Sequence, residues 1–288
     1  TAYVVEKLVS MNQSMLLKLL NTNVENPYMK WNNNTRSQLK LLLDEIINSN
    51  ADNEERNHQL ALDFQYEDYK NELVIDGVFI EIFNKMPTFK IEAPTELAVN
   101  ILELIYAHSQ FLFNENSAVS YNTLYLHKLK QLTIAFTALY NLIPQCSINE
   151  TFTKQHFSIL LSFFSHPQFK DINKIIIDIL NLFVRDNKCV SLLADSNVLA
   201  YLNLTFKTMP EVREMSLSVM HSLCSCPKIV RDCITCGTFI YLLDIFCNEK
   251  EIFDRRRVVE IFARLIADRI SGPRVKIILQ KFLPNIFC

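Results

Sequence analysis

Four cysteines within thirteen residues make the sharpest chemical pattern in the chain. Cys224-x-Cys226 is followed by Cys233-x-x-Cys236, with His221 just upstream. Thiols at such spacing are the ligand set of a tetrahedral zinc site. Other chemistry is thinly provided for. The six histidines form no H-E-x-x-H, and no G-x-S-x-G elbow is present. With only 3 glycines, no phosphate-cradling G-x-G-x-x-G or Walker loop can be written. Asp63, Glu67 and Asp68 could supply an acid/base pair. Without a partner base, metal or glycine loop, a solvated helix face is the better reading. Arg255-Arg256-Arg257 can receive an acidic peptide or a phosphate. On a helix one of the three must turn inward or snorkel, which favours a plain surface cluster. Trp31, the only tryptophan, stands with Tyr28 and Asn32 in the Asn-rich stretch "NTNVENPYMKWNNNTR". An indole in a polar loop must find a pocket, in its own fold first or on a partner.

The elements that must carry these residues are repeats. "FSILLSFFSHPQF" from Phe157 aligns with "VLAYLNLTFKTMP" from Val198 and "TFIYLLDIFCNEK" from Thr238, at offsets of 41 and 40 residues. Armadillo and HEAT units have this period. The second halves align as well, Asp178 onward over Ser218 onward. Asn197 and Gly237 then coincide, just before the next copy, and both residue types tolerate the left-handed conformation that ends a helix. Such a unit cannot bury its apolar face alone and must stack into a solenoid. The alignment weakens the zinc reading. Where the second copy has its four cysteines, the first has Phe183 to Asp186, Leu192, Leu193 and Ser196. Packing cysteines are favoured, and no cofactor is expected. In the last long helix Val258, Ile261, Phe262, Leu265 and Ile266 form an apolar stripe. Glu260, Arg264 and Asp268 run along another face at spacings that can pair.

The chain has 288 residues, is 49% hydrophobic and carries a net charge of -2. It can build a large core, and it lacks the basic excess of a general nucleic-acid or anionic-membrane binder. The charge is uneven: Asp44 to Glu103 holds 14 acidic against 4 basic residues, and Thr238 to Cys288 holds 9 basic against 6 acidic. Eight cysteines in so long a chain are no disulfide framework and fit a reducing compartment. Four Asn-x-Ser/Thr triplets, at Asn12, Asn33, Asn149 and Asn203, do not outweigh that argument. The uncharged run Gln131 to Asn149 has the length of a membrane span, but its polar interruptions favour a buried core helix. The chain opens at Thr1 without Met and ends on "KFLPNIFC", which reads as a piece of something longer.

Upstream of the repeats, Thr1 to Leu20 reads as a helix, and Asn34 or Thr35 is the expected cap of the helix after Trp31. Gly77 is expected to divide two short helices, and Pro94 to open the next. Ser117 to Ile143 is a further long helical pattern. "VFIEIF" alternates briefly within a helical context, so no strand is expected. The fold class is all-α, an armadillo/HEAT-like α-solenoid. Residues 1–150 read as a helical region containing the Trp31 segment, and residues 151–288 as armadillo-like repeats.

Three blocks, "CVSLLADSNVLAYLNLTF", "KIVRDCITCGTFIYLLDIFCN" and "GPRVKIILQKFLPNIF", resemble the C-terminal armadillo-like region of the endosomal DnaJ-domain family of receptor-mediated endocytosis protein eight (DnaJ homologue subfamily C member thirteen). "DGVFIEIFNKMPTFKIEAPTELAVNILELI" is similar too. "NPYMKWNNNTRSQL" resembles the family's Ile-Trp-Asn repeat: Trp31 and Asn32 match, while Lys30 stands where Ile is usual. The resemblance implies a non-enzymatic scaffold on the cytosolic face of early endosomes. It implies partners among sorting nexins, retromer, clathrin-coat and actin-nucleating proteins, with Tyr28, Trp31 and Asn32 as binding candidates beside the Arg255 to Arg257 cluster. The heat-shock cognate ATPase would be met only through a J domain. His166-Pro167-Gln168 lacks the Asp of the J-domain His-Pro-Asp, and no J domain is legible in these residues. A generic armadillo adaptor of another pathway is the alternative.

Overall fold

The computed structural model describes residues 28–29, 31–48, 72–85, 90–114, 123–248 and 251–283. The expected first helix, the acidic cluster at Asp63, Glu67 and Asp68, and the start of the Ser117 helix lie outside the described residues. The described chain is all-α, in keeping with a solenoid of stacked helices, apart from one two-residue strand pair. It divides into two compact units, Thr1–Ser147 and Ile148–Cys288.

In the first unit, β1 (Tyr28–Met29) precedes α1 (Asn33–Asn48), α2 (Glu72–Lys85), β2 (Lys90–Ile91), α3 (Pro94–Asn114) and α4 (Thr123–Leu142). α4 packs on α2 and α3, and α1 packs on α2. The strand pair corrects the expectation of no strand: Tyr28 pairs with Lys90 and Met29 with Ile91, in parallel. Two residues are too short for alternation to show, and the pairing is tertiary. The Ile91 N–H donates instead to Gln145 Oε1 at 2.9 Å.

Gly77 does not divide its segment, because α2 runs unbroken through it. A mid-helix glycine costs about 1 kcal/mol relative to alanine. Burial of Ile75, Val78, Phe79, Ile82 and Phe83 on the same helix outweighs that. Residues 131–142 of the uncharged run fall in α4 as a core helix, with Leu132, Phe136, Leu139 and Leu142 fully buried. Among the described residues no single helix is long and apolar enough to cross a membrane.

The second unit holds three copies of a three-helix repeat, preceded by the short α5 (Ile148–Thr151). They are α6 (Lys154–Ser162), α7 (Lys170–Phe183) and α8 (Asn187–Ala194); then α9 (Val198–Thr208), α10 (Arg213–Leu223) and α11 (Pro227–Thr235); then α12 (Thr238–Asn248), α13 (Ile252–Ala267) and α14 (Gly272–Phe282). First helices stack in one row (α6, α9, α12) and second helices in another (α7, α10, α13). Each inner third helix packs on the next first helix, α8 on α9 and α11 on α12.

The repeat extends to single hydrogen bonds. Val184 N–H donates to the Leu180 carbonyl at 3.0 Å and Asp186 N–H to the Phe183 carbonyl at 3.0 Å. Forty residues on, Cys224 donates to Met220 at 3.1 Å and Cys226 to Leu223 at 2.9 Å. Asn197 (φ 57°) and Gly237 (φ 72°) are the positive-φ residues among those described, as their alignment implied. Each turns the chain into the next copy, and their carbonyls accept from Ala200 at 3.1 Å and Ile240 at 3.0 Å. Buried Ile, Leu, Val and Phe side chains hold the stack together. Lys170–Glu211 at 2.7 Å and Lys228–Asp195 at 2.5 Å tie the first copy to the second. Exposed pairs of this kind add little to stability.

Candidate partner-binding site

The Trp31 side chain belongs to the interior of its own unit. The ring is 7% exposed and stacks on Phe79, centroids 4.0 Å apart at 24°. The Arg36 guanidinium lies 5.3 Å from the ring centroid. That guanidinium is fixed by a two-pronged pair with Asp76, Nε to Oδ1 at 2.8 Å and Nη2 to Oδ2 at 3.1 Å. A fork-on-fork pair of this kind holds both distance and plane. The indole N–H is buried and has no hydrogen-bond partner.

Asn32, rather than Asn34 or Thr35, caps α1. Its Oδ1 accepts from the Thr35 N–H at 3.0 Å and the Thr35 hydroxyl at 3.1 Å, while its carbonyl takes the Arg36 N–H at 2.9 Å. Thr35 is fully buried and so serves the core instead. In the Trp-Asn pair, then, the first residue plugs the core and the second starts a helix. What the pair shows to solvent is Asn32, Asn33 and Asn34. Tyr28 contributes backbone pairing to β2.

The arginine cluster sits at the start of α13. Arg255 and Arg256 are exposed and Arg257 is half-buried, the inward member of the three. Glu260 takes both neighbours, Arg257 Nη1 at 2.8 Å and Arg256 Nε at 3.4 Å. The expected pairing along Glu260, Arg264 and Asp268 is therefore not made. Arg264 donates to the His221 carbonyl of the second copy at 2.6 Å. Asp268 accepts from the Ser271 N–H at 2.7 Å and the Ile270 N–H at 3.1 Å ahead of α14. Tertiary and capping partners outcompeted the i,i+4 spacing, which is worth only a few tenths of a kcal/mol.

Arg257 also lines a groove that the sequence did not disclose. Two adjoining depressions of about 470 and 400 Å³ run along the second-helix row, and Glu214 and Arg257 line both. Asp178 and Asn181 of α7 and Ser218 of α10 line one; Phe253, Arg256 and Glu260 line the other. Partial burial holds the Asp178 carboxyl above its ordinary value. Burial first, then Arg264 and Arg257, hold the His221 imidazole below its own. One end of the groove is acidic, with Asp178, Glu211 and Glu214, and the other sets Arg256 and Arg257 beside Glu214 and Glu260. Carboxylates of Asp178 and Glu214 beside the Arg257 guanidinium equip the groove to bind a polar or charged partner. Asp178 and Ser218 share one repeat position, the only trace of this face in the sequence.

The cysteines serve the repeat. Cys224 and Cys226 occupy the turn that Val184 and Asp186 form with the same hydrogen bonds. Cys224 and Cys233 are buried, Cys226 is half-buried and Cys236 is exposed. The Cys233 thiol is pushed up by its hydrogen bond with Cys224 and by burial. Among the described residues no three His, Cys, Asp or Glu side chains converge to hold a metal. The Asn203 side chain is buried and donates to the Cys236 carbonyl at 3.1 Å, so that triplet is structural.

No protein-family model matches the chain, and no solved structure does. Over 318 aligned residues the chain is 25% identical to "DnaJ homolog subfamily C GRV2" of Arabidopsis thaliana. The alignment takes in 94% of this chain and 12% of that protein. The chain is thus similar, along nearly all its length, to one segment of a much longer DnaJ-type protein.

Proposed function

We propose that this chain is a non-enzymatic protein-interaction scaffold, an α-solenoid segment of an endosomal J-domain co-chaperone acting in retromer- and sorting-nexin-dependent sorting and clathrin turnover. The observation that carries it is the groove along α7, α10 and α13. Asp178, Glu214 and Arg257 present opposite charges there. Similarity to a segment of a DnaJ homologue supports the co-chaperone setting. In that setting the solenoid holds client or coat proteins on the cytosolic face of early endosomes. The heat-shock cognate ATPase is then engaged by a J domain elsewhere in the parent protein. Sorting nexins are the first partners to try, followed by coat and actin-nucleating proteins.

The test is binding of the purified chain to the membrane-binding region of a sorting nexin. Asp178→Lys, Glu214→Lys and Arg257→Glu go alongside, with thermal melts on each. Loss of binding by at least tenfold in folded variants is the expected result. No binding to any endosomal partner would point to a generic armadillo adaptor of another pathway.

A further inference from the structure

The last copy carries an apolar groove separate from the second-helix row. It has a volume of about 570 Å³ and lies between α12 and α14. Ile240, Leu243, Ile278 and Phe282 line it, with Asp244 and Cys247 at its edge. Ile240 is 69% exposed and Phe282 67%. Two large apolar side chains left in water beside a groove are a mark of a docking surface.

A fourth copy stacked in the same way does not suit this face. The inner third helices bury Val190 and Ala194 in α8, and Val230 in α11. Aligned on their buried pairs, Ile229 and Cys233 with Val275 and Leu279, α14 places Lys276 and Gln280 at those stacking positions. Both are exposed. A lysine and a glutamine there disfavour another copy seated on α14 in the same way.

Charge narrows the occupant further. α14 carries Arg274, Lys276 and Lys281 and no acid. None of the three forms an ion pair among the described residues, and all are exposed. On the opposite wall the carboxylate Asp244 accepts from Asn248 Nδ2 at 2.6 Å. Ile240 to Cys247 is two turns of helix, so the groove fits two turns of a partner helix with apolar anchors at i, i+3, i+4 and i+7.

We infer that the α12–α14 groove binds an amphipathic helix of a partner protein whose flank facing α14 is acidic. The site is independent of the charged groove on the second-helix row, and loss of either leaves the other intact.

The experiment uses the full 288-residue chain and two fluorescein-labelled model peptides. Both are four-turn helices with a Leu/Phe face, one with a glutamate flank and the other with lysines at the same positions. By fluorescence anisotropy the glutamate peptide binds and the lysine peptide binds at least tenfold more weakly. Lys276→Glu with Lys281→Glu inverts that preference. Ile240→Asp and Phe282→Ser, both at exposed positions that spare the core, abolish binding, while Glu214→Lys leaves it unchanged. Equal binding of the two peptides, or of neither, overturns the inference. So does peptide binding that appears only after residues 284–288 are removed, because the chain's own end would then be the occupant. Binding of phosphatidylserine vesicles without peptide binding, lost in Phe282→Ser, also overturns it in favour of a lipid surface. A concentration-dependent dimer abolished by Ile240→Asp does so in favour of a second copy.

Discussion

Replacing Trp31 with alanine isolates the packing of the Trp-Asn segment. The ring is buried, stacked on Phe79 and covered by Arg36. Truncation of a buried tryptophan costs about 3–5 kcal/mol. The stack accounts for about 0.5–1.5 kcal/mol of that, and the guanidinium contact for about 0.5–1 kcal/mol at a partly exposed site. At roughly 2–4 °C per kcal/mol for a unit of this size, Trp31→Ala should lower the first unit's melting temperature by roughly 6–20 °C. Trp31→Phe is the discriminating partner. It keeps apolar bulk against Phe79 and removes the buried N–H that has no acceptor. An unmet buried donor costs about 1–3 kcal/mol, so the phenylalanine variant should lose less than half of what the alanine variant loses. Circular dichroism melts follow both variants. The single tryptophan gives the parent chain a fluorescence signal that belongs to the first unit alone. An unchanged melt in Trp31→Ala, with loss of sorting-nexin binding, would refute the reasoning and make the indole a contact residue.

Further outcomes follow from other particulars. Gly237→Ala adds a Cβ with nothing within 4 Å, so only its φ of +72° resists; urea unfolding should show a loss of about 1–2 kcal/mol. Gly272→Ala drives a Cβ into the Ile266 backbone carbonyl and should cost clearly more in the same assay. Asp254 is buried, and burial raises its pKa against the pull of Arg213. A carboxyl raised in the fold favours the native state below its unfolded value and opposes it as pH rises through the folded value. Asp254→Asn should therefore raise the melting temperature at pH 7 and lose that gain in acid. Native-state alkylation followed by mass spectrometry should label Cys236 and Cys247, which are exposed. Cys189, pushed up to about 12 by burial and then Asp186, should react only on unfolding. Chelator treatment should leave the melt of the second unit unchanged, and bound zinc should fall well below one per chain.

The repeat was legible because its signals are local. A period near forty, two residues fit for a left-handed turn and regular apolar spacing each survive without knowledge of the neighbours. The expectation of packing cysteines rested on the same alignment, and the shared hydrogen bonds at Val184 and Cys224 supply its structural counterpart. What escaped depends on distant partners. The Tyr28–Lys90 pairing joins segments sixty-two positions apart and shows in neither. Asn32 could be named as the cap only once Thr35 was seen to point inward. Arg264 reached for a carbonyl in the previous copy, and spacing within its own helix could not reveal that. The groove along α7, α10 and α13 arises from three helices laid side by side, each of which alone displays a few ordinary polar residues.

The left-handed joints at Asn197 and Gly237 also bear on how such a chain changes over generations. Each joint is one residue, and each copy meets only the copies beside it. A duplication running from one joint to the next inserts a unit whose two faces already fit. A deletion of the same stretch removes one and rejoins matching ends. Gains or losses of two or three residues have no such licence, because they rotate every helix beyond the joint out of register. Lineages carrying this region should differ by whole multiples of about forty residues, and their scattered small insertions should fall between helices, away from the joints.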